Sequence, residues 1–424
     1  MSRTAAVIAE FNPFHCGHEW FLEQVRERSG ASYILAVMSG DFVQRGVPAV
    51  YDKYLRTSMA LAAGADAVIE LPVAAAAGSA RRFAEGAVAV LDAAGAVDEL
   101  WFGSESGDDS LFTGAASLLS GESAGFQEEF RHFLKSGCTW PAARMEALRK
   151  TDPALASSGI LDQPNNTLGL EYCLALRRAG SRIAPHTIRR TGEVHDAAVP
   201  WRHHECSSAE NRASDSSRTP GDSRVFASAS SLRALLEESS DPGILKGRIP
   251  DSSLRLLQSP SCGAVPLTEN DFSSMLIYEL MKETPASLTQ YLDLPEDLAR
   301  RIIHLKSEFR SFRQFADLLK TRNTTRVQVN RALLHILLGI TPEDFERAVH
   351  PKALRLLGFR PSSNGLLTQI KANGSAPLLA GNDLLPTLYD RRDLFASDLY
   401  ETMRSGRAGQ PFTQEFRHPV IRRE

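Results

Sequence analysis

The chain has 424 residues, 43% of them apolar and 23% charged, which excludes a disordered chain, a collagen-like chain or a disulfide-stapled miniature. Lys and Arg number 48 against 51 Asp and Glu, so the net charge of −3 excludes a global polycation and leaves any polyanionic partner to a local basic surface. Five scattered cysteines without a CxxC pair, no run near the ~20 apolar residues of a membrane span, and an N-terminus that meets Glu10 too early for a signal peptide predict a soluble, cytoplasmic protein.

Residues 1–105 alternate between strand and helix patterns. Ala5–Glu10 is a short apolar run ended by the turn-forming Asn12-Pro13, and it suits a buried parallel strand. A helix is predicted from about Gly17 to Arg28, then a second buried strand over Tyr33–Met38 and a polar loop, Ser39–Pro48. Tyr51–Ala63 carries a helical apolar stripe, Ala67–Leu71 a third strand, and Ser79 caps a helix running to about Ala94. Leu100–Phe102 is a fourth strand. This alternation predicts a Rossmann-like, doubly wound parallel sheet. Residues 106–200 read as mostly helical, with a strand near Arg182–Arg190, and 201–224, with six serines, as a mobile surface loop. Order resumes at Val225–Leu236, and the pattern is again helical from about 243, most clearly over Leu292–Leu319 and Arg326–Leu338. The expected division is 1–240 for the α/β domain, 241–345 for a helical domain, and 346–424 for a small mixed unit and tail.

The chemistry concentrates where the first strand feeds the first helix, in Glu10-Phe-Asn-Pro-Phe-His15-Cys16-Gly17-His18. Open α/β sheets bind ligands at the C-terminal ends of their strands, and a helix start offers unpaired N–H groups that suit phosphate. Gly17 allows close approach of a ligand, and His15 and His18 can donate hydrogen bonds to a phosphate and stabilise its transition state. A plain structural turn is the competing reading. A zinc site combining His15, Cys16 and His18 with His203, His204 and Cys206 lacks the tight paired spacing such sites show, and no metal ligands are assigned.

An HxGH motif after a first strand resembles the HIGH-type nucleotidyltransferases. The ordered set AEFNPFHCGH (9–18), VMSGDFVQRGVPA (37–49), GADAVIELP (64–72), LWFGSES (100–106), QPNNTLGLEY (163–172), RRTGEVHD (189–196) and ASASSLR (227–233) is similar to one family in particular, the bacterial tRNA(Met) cytidine acetate ligases. The resemblance implies that ATP activates acetate as acetyl-adenylate, releasing pyrophosphate. The acetyl group then passes to N4 of the wobble cytidine in elongator tRNA(Met), with magnesium expected on the phosphates. It implies an ATP site made of Val7, Ile8, Ala9, Glu10, Phe11, Asn12, Pro13, Phe14, His15, Cys16, Gly17, His18, Glu19 and Trp20, with His15 and His18 at the transferring phosphate. Gly103, Asn165 and one arginine of the pair Arg189-Arg190 complete it; the spacing to His195-Asp196 leaves open which arginine. Val47, Arg81, Val194 and Ser231-Leu232 depart from the family's usual residues without removing a group assigned to chemistry.

Ser39, Gly40, Gln44 and Arg45 lie on the loop after the second strand and are candidates for acetate, phosphate or cytidine. Ser228 and Arg233 resemble the segment that closes over the triphosphate, although a serine there is equally an ordinary helix cap. Residues 296–335 hold nine Lys and Arg against four Asp and Glu, and Lys320, Arg322, Arg326 and Arg331 are candidates for a track along tRNA phosphates. Two other readings stay open: an HxGH adenylyltransferase for a small phosphorylated metabolite, and a non-catalytic RNA-binding protein that retains a nucleotide site.

Overall fold

A computed structural model describes residues 2–138, 140–190, 226–239, 241–259, 263–381 and 390–424. The serine-rich segment 201–224, His195-Asp196 and the alternative ligands His203, His204 and Cys206 lie outside these residues. Among the described residues, no helix is long and apolar enough to cross a membrane.

The apolar runs read from the sequence form the centre of an eight-stranded sheet. Strand Thr4–Ala9 pairs in parallel with Tyr33–Ser39 on one side and with Glu99–Ser104 on the other. Ala67–Leu71 extends the first side and Ala184–Arg189 the second, both in parallel. The chain therefore winds outward from Thr4–Ala9 in one direction, returns, and winds outward in the other. That reversal puts the topological switch point between Thr4–Ala9 and Glu99–Ser104, where an α/β sheet opens a crevice at its carboxyl edge.

Helices cover both faces because the central strands are apolar on both. Helix Ala80–Ala94 starts at the predicted Ser79, whose hydroxyl accepts from the Arg82 amide, and stops at Gly95 in the left-handed conformation. Its small, alanine-rich face packs on helix Pro164–Ala179. Helix Lys53–Ala62 begins two residues later than its stripe suggested, because the Asp52 carboxylate caps the Leu55 amide.

The C-terminal stretch contributes strands to the main sheet. Strand Leu354–Phe359 joins the main sheet antiparallel to Ala67–Leu71, and Ile421–Arg422 pairs with its far side. The sheet is therefore mixed rather than wholly parallel. LRLLGF is apolar apart from the buried Arg355, and it covers what would otherwise be an open sheet edge. Buried ionic groups tie the same region down. Lys53 meets both Glu70 and Glu415 at 2.8 Å, and Arg355 meets Glu415 at 3.0 Å. The stretch 241–345 contains a succession of helices, among them Ser273–Lys282, Glu296–Leu305, Phe312–Leu319 and Arg326–Leu338.

Candidate active site

The HxGH loop leaves strand Thr4–Ala9 at the switch point and enters helix Cys16–Ser29. Its path is set by four fixed contacts. The Glu10 carboxylate accepts the Gln44 amide at 2.8 Å, and the Asn12 side-chain oxygen accepts the Val50 amide at 2.8 Å. The Asn12 carbonyl accepts from the Arg233 guanidinium at 2.7 Å. The Glu10 carbonyl accepts from Arg56 at 2.7 Å. Arg56 is wholly buried and also donates to the carbonyls of Ser39, Gly40 and Tyr51, so one guanidinium joins the loops after the first and second strands. The sequence carried a signal for it: an arginine on the apolar stripe of helix 53–62 must find acceptors if that stripe is buried.

His15 is itself the helix cap. Its Nδ1 accepts the Gly17 amide at 3.1 Å, and the Nδ1 of His18 accepts the His15 amide at 3.2 Å. A side chain at position 17 would meet the His15 ring at 3.0 Å, which explains the glycine between them. The two rings stack with centroids 3.7 Å apart, and the rings of Phe11 and Phe14 enclose His18. Burial, then the nearby Arg190 and Arg233, push the His15 pKa down from 6.5 to about 3. Burial, His15 and Arg190 hold His18 well below its usual value. Both imidazoles are therefore neutral at pH 7. Because each Nδ1 accepts a backbone N–H, each proton sits on Nε2, and the pair presents two Nε2–H donors.

Across the switch point, Gly103 is the last residue but one of strand Glu99–Ser104. The Arg190 side chain lies over it, 3.2 Å from where a Cβ would stand, whereas Arg189 packs against Gly107. Arg190 is thus the member of the pair that faces the histidines. Asn165 donates its side-chain amide to Glu105 at 2.7 Å, and the same carboxylate accepts the Asn166 amide at 2.7 Å, capping helix 164–179. Asn166, fully buried, returns the contact by accepting the amides of Glu105 and Ser106. The sequence did not single out Asn166 or Glu105 as this rim's fasteners.

The remaining candidates divide. Ser39 is buried, and a Cβ on Gly40 would collide with Glu70, so these two hold the loop rather than line it. Arg45 is exposed and, among the described residues, makes no hydrogen bond or ion pair. Ser228 caps helix Ala229–Glu238 through the Ser231 amide. Trp20 packs on Phe226 with ring centroids 5.9 Å apart. Cys16 is disulfide-bonded, while Cys138 and Cys173 are free thiols. Lys320 and Arg322 are exposed, but Arg326 pairs with Asp317 at 3.3 Å and Arg331 is half-buried. Nor does the helical stretch stand far from the HxGH loop: Arg326, Arg45 and Arg233 line one cleft.

Comparison with known proteins agrees with this geometry. The family model for HIGH nucleotidyl transferases matches residues 2–412. The tRNA(Met) cytidine acetate ligase of Thermoanaerobacter sp. strain X514 is 35% identical over 424 residues, covering 98% of each chain. That of Acetivibrio thermocellus is 35% identical over 431 residues, covering 97% of this chain and 99% of its own. Among solved structures, Thermotoga maritima TmcAL bound with alpha-thio ATP superposes with a TM-score of 0.85 at 27% identity, covering 99% of both chains. A switch-point HxGH loop with two neutral imidazoles, matched along nearly its whole length by these relatives, places the chain in the HIGH nucleotidyl transferase family, among the tRNA(Met) cytidine acetate ligases.

Proposed function

We propose that this protein uses ATP to join acetate to N4 of the wobble cytidine of elongator tRNA(Met), through an acetyl-adenylate. The observation that carries the reading is the pair of neutral imidazoles whose Nδ1 atoms are occupied and whose Nε2–H groups remain to donate. In the first step an acetate oxygen bonds to the α-phosphorus, the bond to the bridging β-phosphate oxygen breaks, and pyrophosphate leaves. The Nε2–H groups of His15 and His18 donate to the phosphate as its charge builds, with Arg190 and Arg233 as flanking cations. In the second step the cytidine N4 bonds to the acetyl carbon, the anhydride C–O bond breaks, AMP leaves with the electron pair, and the N4 proton passes to solvent.

Segment 7–20 holds the triphosphate in this reading, Gly103 and Asn165 the nucleoside side, and the loop of Gln44 and Arg45 the acceptor side. Lys320 and Arg322, exposed and outside the ion pairs that occupy Arg326, supply phosphate contacts to the RNA. Magnesium enters as part of the ATP substrate. Among the described residues no group of three or more His, Cys, Asp or Glu is placed to hold a metal. The test is incubation with ATP, labelled acetate and elongator tRNA(Met), followed by nucleoside analysis. N4-acetylcytidine that requires all three components is the expected product; labelled acetate confined to a small metabolite would replace this reading.

A further inference from the structure

Next to the HxGH loop lies a cleft of about 640 Å³, large enough for a nucleotide. Its walls come from the Arg45–Val50 loop, from helix Ala229–Glu238 and from helix Arg326–Leu338. Arg233 belongs to both places: it lines the cleft and donates to the Asn12 carbonyl of the HxGH loop. A group seated in the cleft is therefore adjacent to the phosphate-transfer centre. The cleft also lies on the flank opposite the nucleoside side, because strand Tyr33–Ser39, which feeds the Arg45 loop, and strand Glu99–Ser104, which carries Gly103, pair with opposite sides of Thr4–Ala9.

The donors in the wall are not equivalent. Arg313 is spent on Glu237 and Glu269, each at 2.7 Å, and Arg326 on Asp317. Arg233 is spent on Asn12 and Ser230. Arg45 keeps its guanidinium free among the described residues, at the end of a loop that is rigidly seated. Gly46, at φ +72°, lies so close to helix Arg326–Leu338 that a Cβ would collide with the Arg331 backbone nitrogen. Beside that point, Asn330 lines the cleft and is 6% exposed, and among the described residues neither its Oδ1 nor the buried Nε2 of Gln44 has a hydrogen-bond partner. Orphaned buried polar groups are costly unless something else uses them.

We propose that this cleft receives the acyl acceptor, a cytidine unstacked from single-stranded RNA, and that the Arg45 guanidinium reads its N3 and O2 edge. This rests on the ligase reading above. Cytosine presents two acceptors, N3 and O2, to a planar fork of donors and leaves the exocyclic N4 amine turned toward the acetyl group. Uracil presents an N–H at position 3, which opposes the guanidinium. Arg45 thus selects the base that carries a nucleophilic amine, while Asn330 supplies an acceptor deeper in the wall.

The test uses the full chain and two synthetic anticodon stem-loop RNAs, identical except for cytidine or uridine at the target position. The intact protein binds the cytidine RNA roughly 10- to 100-fold more tightly, the range a good bidentate base contact supports. Arg45→Gln brings the two affinities within about threefold by weakening the cytidine RNA alone, and Arg45→Lys, with a point charge instead of a fork, restores part of the preference. An unchanged preference in Arg45→Gln, or equal weakening of both RNAs, which marks a phosphate contact, overturns the assignment. A second variant fills the cleft from a surface position. Val327, 36% exposed in its wall, becomes tryptophan. Val327→Trp raises the KM for RNA at least about tenfold, given how a plugged pocket excludes its ligand, and leaves acetate-dependent ATP–pyrophosphate exchange unchanged. An unaltered KM for RNA overturns the cleft. If the intact protein lacks acetate-dependent exchange altogether, the ligase reading fails and takes the cleft assignment with it. Exchange with an unmoved base preference removes the cleft assignment alone.

Discussion

Lys53 and Glu415, from opposite ends of the chain, meet at 2.8 Å with no more than 3% of either side chain exposed. Burial alone would discharge the Lys53 ammonium, but Glu415, Glu70 and Asp41 outweigh it and hold its pKa above the usual lysine value. The same amine donates to Ser397 at 2.6 Å. The C-terminal residues are thereby fastened to the start of the helix whose Arg56 organises the active-site loops. Lys53→Met would take the shared ammonium away from Asp41, Glu70 and Glu415, of which Glu415 keeps Arg355. It is expected to cost about 3–5 kcal/mol, the usual penalty for breaking a buried ion pair. Urea unfolding measures it, and a loss below ~1 kcal/mol would show that the pair contributes little.

His15 caps its helix at Nδ1, and the proposed reaction gives it a second, separable duty as a donor at Nε2. His15→Asn keeps a capping oxygen and removes the donor, so its urea midpoint should stay near that of the intact protein. Acetate-dependent ATP–pyrophosphate exchange should fall ~100- to 1,000-fold, as when other transition-state donors are removed. His15→Ala should show the same fall in exchange and a further ~1 kcal/mol of destabilisation from the missing cap. Normal exchange in His15→Asn would remove the histidine from the chemistry.

The depressed histidine pKa values make stability depend on pH. Between the unfolded value of 6.5 and the folded value of about 3 for His15, the unfolded chain binds more protons. Stability is therefore fully present above about pH 6.5 and falls as the pH drops through that window. The slope approaches ~1.4 kcal/mol per pH unit for each such group. His18 and the buried His335 act in the same direction. Unfolding free energies measured from pH 7 to pH 5 should decline, and less steeply in His15→Asn. Parallel slopes in the two proteins would show that His15 titrates as if exposed.

Charge reversal at Lys320 and Arg322 tests the RNA track. Both are exposed, so folding should change by less than ~0.5 kcal/mol. If each touches a phosphate, the slope of log binding constant against log salt should shrink by roughly 0.7–0.9 for each phosphate no longer neutralised. Arg326, already held by Asp317, should contribute less than either. Unaltered tRNA affinity and salt slope would mean that RNA follows another surface.

Most of the catalytic half was legible in the sequence because its signals are local. YILAVM is apolar on both faces, and AVIEL is so apart from Glu70, so both had to be buried strands. An HxGH turn between a strand and a helix start is a short-range arrangement that its own residues specify. What the sequence left open depended on partners distant along the chain. Which arginine of the pair 189–190 faces the histidines follows from the strand register that lays Ser104 beside Arg189 and carries Arg190 over Gly103. The joining of LRLLGF to the sheet, antiparallel, is a long-range pairing that no periodicity announces. The histidine tautomers were fixed only by backbone amides folded back onto each ring. The cleft beside Arg45 exists because Gly46 lets one loop lie against a helix nearly three hundred residues away. Local propensity chose the elements and the motif; burial and hydrogen-bond satisfaction across the whole chain decided what those residues face.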